Sequence, residues 1–195
     1  MLLQLAAIGI GLIVLFALGI VGLILVFYLL SIYNSLIALK NNIDKSWSNI
    51  DVLLVQRNAE LTKLVDAVKG YMKHEKTLLT DITKLRASVA NANGPAAKAA
   101  ASDLLSGMLG KLFAVAENYP QLRASENFHQ LQGRVSELEN AIADRREFYN
   151  DSVNTYNIRI QQIPDTFIAG MMKLTSRELF KSAPGTAEDV KLKFE

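Results

Sequence analysis

The stretch "FHQLQGRVSELENAIADRREFYNDSVNTYNIRIQQIP", residues 128–164, carries the pattern that decides the fold. Phe128, Leu131, Val135, Leu138, Ile142, Arg145, Tyr149, Val153, Tyr156, Ile160 and Ile163 recur at steps of three and four. That period lays one stripe along an α-helix, and only Arg145 breaks it. The helix is expected to end at Ile163-Pro164, because the residue before a proline is driven out of the helical region.

Immediately upstream, "SENFHQ" contains Glu126-x-x-His129, the spacing that puts two metal ligands on one helix face. A di-iron bundle needs a second such motif and two further inward glutamates. The chain has one other histidine, His74, with Glu75 after it and Tyr71 three residues before. A mononuclear site from His74, Glu75, Glu126 and His129 stays open as the weaker alternative. The stronger reading takes Ser125 as the N-cap, Glu126 as a first-turn carboxylate and His129 as an exposed neighbour of the stripe. No catalytic, cofactor or metal residue is assigned, and the motifs H-E-x-x-H, G-x-x-x-x-G-K-[ST] and G-x-S-x-G are absent from the sequence.

A second heptad series runs earlier. Leu36, Ile43, Ile50, Arg57, Leu64, Tyr71, Leu78 and Leu85 alternate with Lys40, Trp47, Leu54, Leu61, Val68, Glu75, Ile82 and Val89. The two rows define an amphipathic helix with a coiled-coil-like seam. The phase survives Gly70, so one helix to about Ala92 is possible, while a turn near "KGYMKHE" would split it in two. "NANGPAA" is a stop. An alanine-rich helix is expected over 96–117, apolar at Leu104, Leu105, Met108, Leu112, Phe113 and Ala116, with Pro120 interrupting after it. No period-two strand pattern precedes the final "VKLKFE".

Arg57 and Arg145 both sit at seam positions. Either the stem lies over the core edge with its head in water, or the guanidinium pairs with Asp51, Glu60, Asp144 or Glu147 to fix register. Tyr33-Asn34, Tyr149-Asn150 and Tyr156-Asn157 repeat one dipeptide. If the last helix returns toward the start of the first, Tyr33 and Tyr156 approach each other. A buried tyrosine wants a hydroxyl partner, which an asparagine on the adjacent helix could supply. Trp47, Tyr33, Tyr149 and Tyr156 are thus expected in packing roles.

Residues 1–39 carry no Asp, Glu, Lys, Arg or His, and the first charge is Lys40. The apolar run from Leu5 to Leu30 would span about 39 Å as a helix, against a hydrocarbon core of about 30 Å. The run is too long for a signal peptide and lacks a basic n-region, so a retained anchor is expected. Ala7-x-x-x-Gly11 and glycines 9, 19 and 22 permit close helix contact in lipid. Lys40 and Lys45 follow the span and favour a cytoplasmic C-terminal domain in a single-pass membrane protein.

The 21 basic and 19 acidic residues are interspersed, so nothing marks a nucleic-acid partner. With no cysteine, disulfides and thiolate chemistry are excluded. After the last long helix, Phe167, Ile168, Met171, Met172 and Leu174 either cap the open end of the bundle or form an interfacial anchor. In the second case Lys173, Arg177 and Lys181 would meet anionic headgroups.

"YNSLIALKNNIDKSWSNIDVLLVQRNAELTKLVDAVKGYMKHE" resembles the opening signature of LemA family proteins, and "AENYPQLRASENFHQLQGRVSELENAIADRREFYNDSVNTYNIRIQQIP" resembles their second. "TFIAGMMKL" and the later "ELF" are similar to the family's short tail. The resemblance runs from Tyr33 to about Phe180. One departure is visible: the family usually has an Ile-Pro step where this chain reads Leu61-Thr62-Lys63-Leu64-Val65, so a straighter first helix is expected. The resemblance implies an antiparallel bundle tethered to a membrane, with no established enzymatic activity. Some relatives are encoded beside membrane proteases, and one branch takes part in forming magnetosome membranes.

These readings combine into an all-α chain: a flank at 1–4, a transmembrane helix at 5–30, an up-and-down bundle of three to four long helices at 31–163, and a tail at 164–195. The expected role is a non-enzymatic scaffold of the bacterial inner membrane, self-associating and involved in envelope organisation or membrane remodelling. Its expected partners are membrane lipid and further copies of itself. The alternative is an adaptor that presents a helical surface to another envelope protein such as a protease, and a metal-binding bundle enzyme comes last.

Overall fold

The computed structural model describes residues 2–181, with side chains from residue 9 onward; the "VKLKFE" segment lies outside the described residues. Six helices follow in order: α1 (Leu2–Lys69), α2 (Lys76–Asn91), α3 (Pro95–Ala116), α4 (Pro120–Arg123), α5 (Glu126–Arg159) and α6 (Asp165–Met171). Among the described residues there is no strand, so the chain is all-α as its periodicity predicts.

The first helix is unbroken through Leu61–Val65 but does not reach Ala92. It stops at Lys69, and the chain turns through Gly70–Glu75 before α2 begins. The amide of Tyr71 shifts to an i−3 bond with the Val68 carbonyl, and Met72 tucks in beneath the turn. One row of the seam shifts by one residue as a result, while Ile82 and Val89 of the companion row stay buried as expected. Tyr71 is exposed and Leu78 only half-buried, while Met72 and Leu79 go into the core. A glycine carries the largest entropic cost in a helix, which makes residue 70 a favourable place to break.

By packing, the chain divides into two compact units: residues up to Asn41 with Thr155–Ser176, and Asn42–Asn154 with residues from Arg177 onward. The larger unit is the bundle. Side-chain bonds give its topology: Arg86 of α2 reaches Asn58, Lys98 of α3 reaches Asp51, and Glu139 of α5 reaches Arg57. Numbers fall along α2 and α5 as they rise along α1, and rise together along α3. The four long segments therefore run up, down, up and down.

Seam residues are buried on both long helices: Ile43, Ile50, Leu54, Leu61, Leu64 and Val68 of α1, and Val135, Ile142, Tyr149 and Val153 of α5. Burying each of these aliphatic side chains contributes about 1.5–3 kcal/mol. On α3 the buried line is Ala99, Ser102, Leu105, Leu109, Leu112 and Ala116, leaving Leu104 exposed. Gly94 enters α3 at φ +83°, a conformation that side-chain-bearing residues avoid, and Pro95 then takes the first helical turn. Pro120 likewise opens the short α4. Ser125 acts as the N-cap of α5, its Oγ accepting from the Phe128 amide at 3.4 Å.

The smaller unit holds the apolar length of α1, the end of α5, and α6. Ile32, Leu36, Tyr156, Ile160 and Ala169 are buried within it, whereas the large apolar side chains from Ile10 to Leu30 are exposed. α1 is therefore long and apolar enough to cross a membrane. α5 stops at Arg159 rather than Ile163, its last turn tightening into i−3 bonds from Gln161 to Ile158 and from Gln162 to Arg159.

Candidate functional site

Arg57 lies wholly inside the bundle, 1% exposed. Its Nη1 donates to Glu139 Oε1 at 2.8 Å and to Ser106 Oγ at 3.3 Å, and its Nη2 donates to Ser102 Oγ at 3.1 Å. Ser106 in turn donates to Glu139 Oε2 at 2.7 Å. Nε is buried with no hydrogen-bond partner. The guanidinium thus joins α1, α3 and α5, and its carboxylate partner is Glu139 rather than Asp51 or Glu60. Asp51 instead pairs with Lys98, and Glu60 with Lys63. Two serines one helical turn apart on α3 form the socket, and their small side chains leave room for the fork.

Arg145, expected on the stripe of α5, is exposed. Its neighbour Arg146 takes the inward position, holding Asp103 through Nη1 at 2.7 Å and Nη2 at 3.2 Å. Ile142 to Tyr149 can be stepped as three and four or as four and three. With arginine at both intermediate positions, the pattern alone could not choose.

A second cluster surrounds Trp47. Its ring meets Tyr149 at 5.7 Å and Phe180 at 5.8 Å between centroids, and Lys98 Nζ lies 5.6 Å from it. Phe180 is fully buried although it comes from the tail. Asn150 holds its backbone both ways, accepting from the Phe180 amide at 2.8 Å and donating to its carbonyl at 3.3 Å. Arg146 Nε also donates to that carbonyl at 2.9 Å. The Tyr149 hydroxyl donates to the Glu178 carbonyl at 2.9 Å. Burial pushes the Tyr149 phenol above its ordinary value; Arg177 opposes the shift, and Glu178 and Asp44 add to it. Arg177, considered for the membrane interface, sits 3.3 Å from Asp44.

In the smaller unit, the buried Tyr156 donates its hydroxyl to the Thr175 carbonyl at 3.2 Å, while Tyr33 is exposed. Both buried tyrosine hydroxyls thus donate to backbone carbonyls of the tail, where an asparagine on the adjacent helix was expected. Arg159 donates from Nη1 to Ser35 Oγ at 2.6 Å and from Nε to Asp165 Oδ2 at 2.7 Å. Of the apolar residues considered for the interface, Phe167 and Met171 are exposed, and Ile168 and Met172 half-buried; Lys173 is exposed in a left-handed turn at φ 53°.

His129 is exposed, and one ring nitrogen lies 2.7 Å from the Arg123 carbonyl. Glu126 accepts from Gln130 at 3.3 Å. Among the described residues no three His, Asp or Glu side chains converge as metal ligands. At the turn after α1, an open groove of about 840 Å³ is floored by Val65, Met72 and Leu79 and edged by Lys69, Lys73, His74, Lys76 and Lys84. What the molecule displays is thus ion-paired packing and apolar surface.

Sequence reasoning singled out Arg57, Trp47, Tyr149 and Tyr156. It missed Glu139, Ser102, Ser106, Arg146, Asp103, Arg159, Ser35 and Phe180. Of these, Arg146 left a signal as the second half of an Arg-Arg pair on the stripe, and Phe180 as the end of the "ELF" run similar to the family tail.

The model of the LemA family matches residues 46–194 of the chain. The protein called Protein LemA from Metamycoplasma hominis is 27% identical over 161 residues, a match covering 80% of this chain and 72% of that protein. Magnetosome protein MamQ 2 and Magnetosome protein MamQ 1 of Paramagnetospirillum magneticum are each 36% identical over 76 residues, 39% of this chain. The chain spans 28% of the length of those two relatives.

Proposed function

The chain belongs to the LemA family, and from that premise we propose that it is a non-enzymatic, membrane-anchored helical scaffold that self-associates in the bilayer and organises it. The carrying observation is α1: one unbroken helix whose exposed apolar side chains run from Ile10 to Leu30 and whose later turns supply the bundle seam. The space around glycines 9, 11, 19 and 22 is open, which suits close approach of a second span. Relatives named as magnetosome proteins support a role in membrane organisation. In this proposal the bundle faces the cytoplasm from the bacterial inner membrane, because Lys40 and Lys45 follow the span.

Electron microscopy of the full chain in liposomes tests the scaffold, with laterally ordered particles as the expected result. Isolated particles in lipid, together with a monomer by light scattering at every detergent-solubilised concentration, would sink it. Exposed Val52, Val55 and Phe148 on the bundle favour the second reading, an adaptor for another envelope protein. That reading predicts stoichiometric pairing with a partner and no array. Protease protection in vesicles of known orientation checks the topology.

A further inference from the structure

The unit that contains the span carries a second apolar surface. Ile163, Phe167 and Met171 are spaced by four residues and are 79%, 66% and 82% exposed, respectively. Asp165 and Ala169, between them in sequence, are buried. α6 and the turn before it therefore turn one face into the unit and leave three large apolar side chains outside. Isolated exposed apolar residues are ordinary, but three aligned ones ask for a cover.

The position of this face along α1 is set by one guanidinium. Arg159 binds Ser35 on α1 and Asp165, the first residue of α6. Ser35 is five residues beyond Leu30, a rise of about 7–8 Å along the helix. The headgroup zone on each side of a bilayer is about 5–8 Å thick, from the difference between total and hydrocarbon thickness. If the hydrocarbon ends near Leu30, the latch holds α6 level with the headgroups. No charged side chain precedes Lys40 on α1, so nothing there resists that depth.

We infer that α6 is a lipid-seated foot: Ile163, Phe167 and Met171 enter the boundary between headgroups and acyl chains beside the point where α1 leaves it. The occupant of the face is the bilayer, because the face belongs to the same packed unit as the apolar length of α1 and is latched to α1 through Arg159. Exposed Lys173, just past α6, stands where anionic headgroups would meet it. This inference rests on the anchored reading of α1.

The cysteine-free chain allows a direct test by single nitroxide labels. Phe167→Cys, Met171→Cys, Leu23→Cys in the span and Lys111→Cys on the bundle are each labelled in the otherwise unchanged full chain. Each is reconstituted in vesicles of phosphatidylcholine and phosphatidylglycerol. Collision rates with oxygen, which concentrates in lipid, and with a water-soluble nickel chelate then report depth. The expected result is an oxygen-to-nickel ratio severalfold higher at 167 and 171 than at 111, and below that at 23. Ratios at 167 and 171 equal to that at 111 would overturn the foot while leaving the anchor intact. Shielding from both reagents would also overturn it; spin–spin broadening lost on dilution with unlabelled protein would then identify a second copy as the cover. A nickel-accessible label at 23 would remove the anchored reading, and the foot with it. All four side chains lie on the outside of the protein, so the labels do not disturb a core.

Discussion

Removing Glu139 should harm the bundle more than removing the arginine it pairs with. In wild type the Arg57 cation is 1% exposed and is held by Glu139 and two serine hydroxyls. Glu139→Ala leaves that cation buried with only the hydroxyls, and breaking one side of a buried ion pair costs about 3–5 kcal/mol. Glu139 is itself 27% exposed, so water can enter from its side, and the expected loss is reduced to about 2–3 kcal/mol. Arg57→Met takes away the charge and fills much of the same volume, while Glu139 turns to solvent. That variant should stay within about 1 kcal/mol of wild type. In either case the single Ser106 hydroxyl proton has the Ser102 carbonyl, 3.0 Å away, as an alternative acceptor to Glu139. At about 2–4 °C per kcal/mol for a chain of this size, Glu139→Ala should melt about 4–12 °C lower. Thermal unfolding of the full chain in detergent, followed by far-UV circular dichroism, reads the difference. The double variant Arg57→Met with Glu139→Ala should melt close to Arg57→Met alone. If Arg57→Met loses as much as Glu139→Ala, the pair is a net source of stability and the reasoning fails.

Phe180→Ala should cost about 3–5 kcal/mol, the usual loss for a fully buried phenylalanine. Trp47, the single tryptophan of the chain, should report it by a red-shifted emission, and an unchanged spectrum would refute the contact. The raised pKa of Tyr149 makes its contribution to stability complete below the unfolded value near 10; that contribution is lost as pH climbs through the higher folded value. Tyr149→Phe should therefore melt lower at neutral pH by about 1 kcal/mol of hydrogen bonding, yet decline less steeply in alkali than wild type. Gly94→Ala should destabilise by about 1–3 kcal/mol, since alanine is strained at φ +83° and ψ 163°. Gly70→Ala, with open space at its Cβ and no positive φ, should be neutral or mildly stabilising in urea titrations.

The architecture was legible wherever one period ran without interruption. The α5 stripe is buried from Phe128 to Ile160, apart from half-buried Leu138 and exposed Arg145, because a helix face needs only local spacing to be recognised. The turn at Gly70 was one of two readings, since apolar residues keep phase across it and the choice depends on tertiary packing. Glu139 could not be assigned to Arg57 because the two are far apart in sequence and the chain offers many acids. Phe180 follows no helical period, and its burial rests on the Trp47 ring and on Asn150 and Arg146, which are distant in sequence. Arg159 lies off the apolar stripe and its two partners lie on different helices, so local spacing does not mark it.

The order of synthesis gives the Trp47–Phe180 contact a further meaning. At about 5–20 residues per second, the roughly 130 residues between them take about 7–26 s to make. For the first part of that interval, until residues 126–159 are made, the seam from Ile43 to Val68 exists without α5. Phe180 is the last large side chain among the described residues to reach the core. A nascent chain cut short before it leaves the rings of Trp47 and Tyr149 open to water. The tail therefore distinguishes a chain made through Phe180 from one cut short before it.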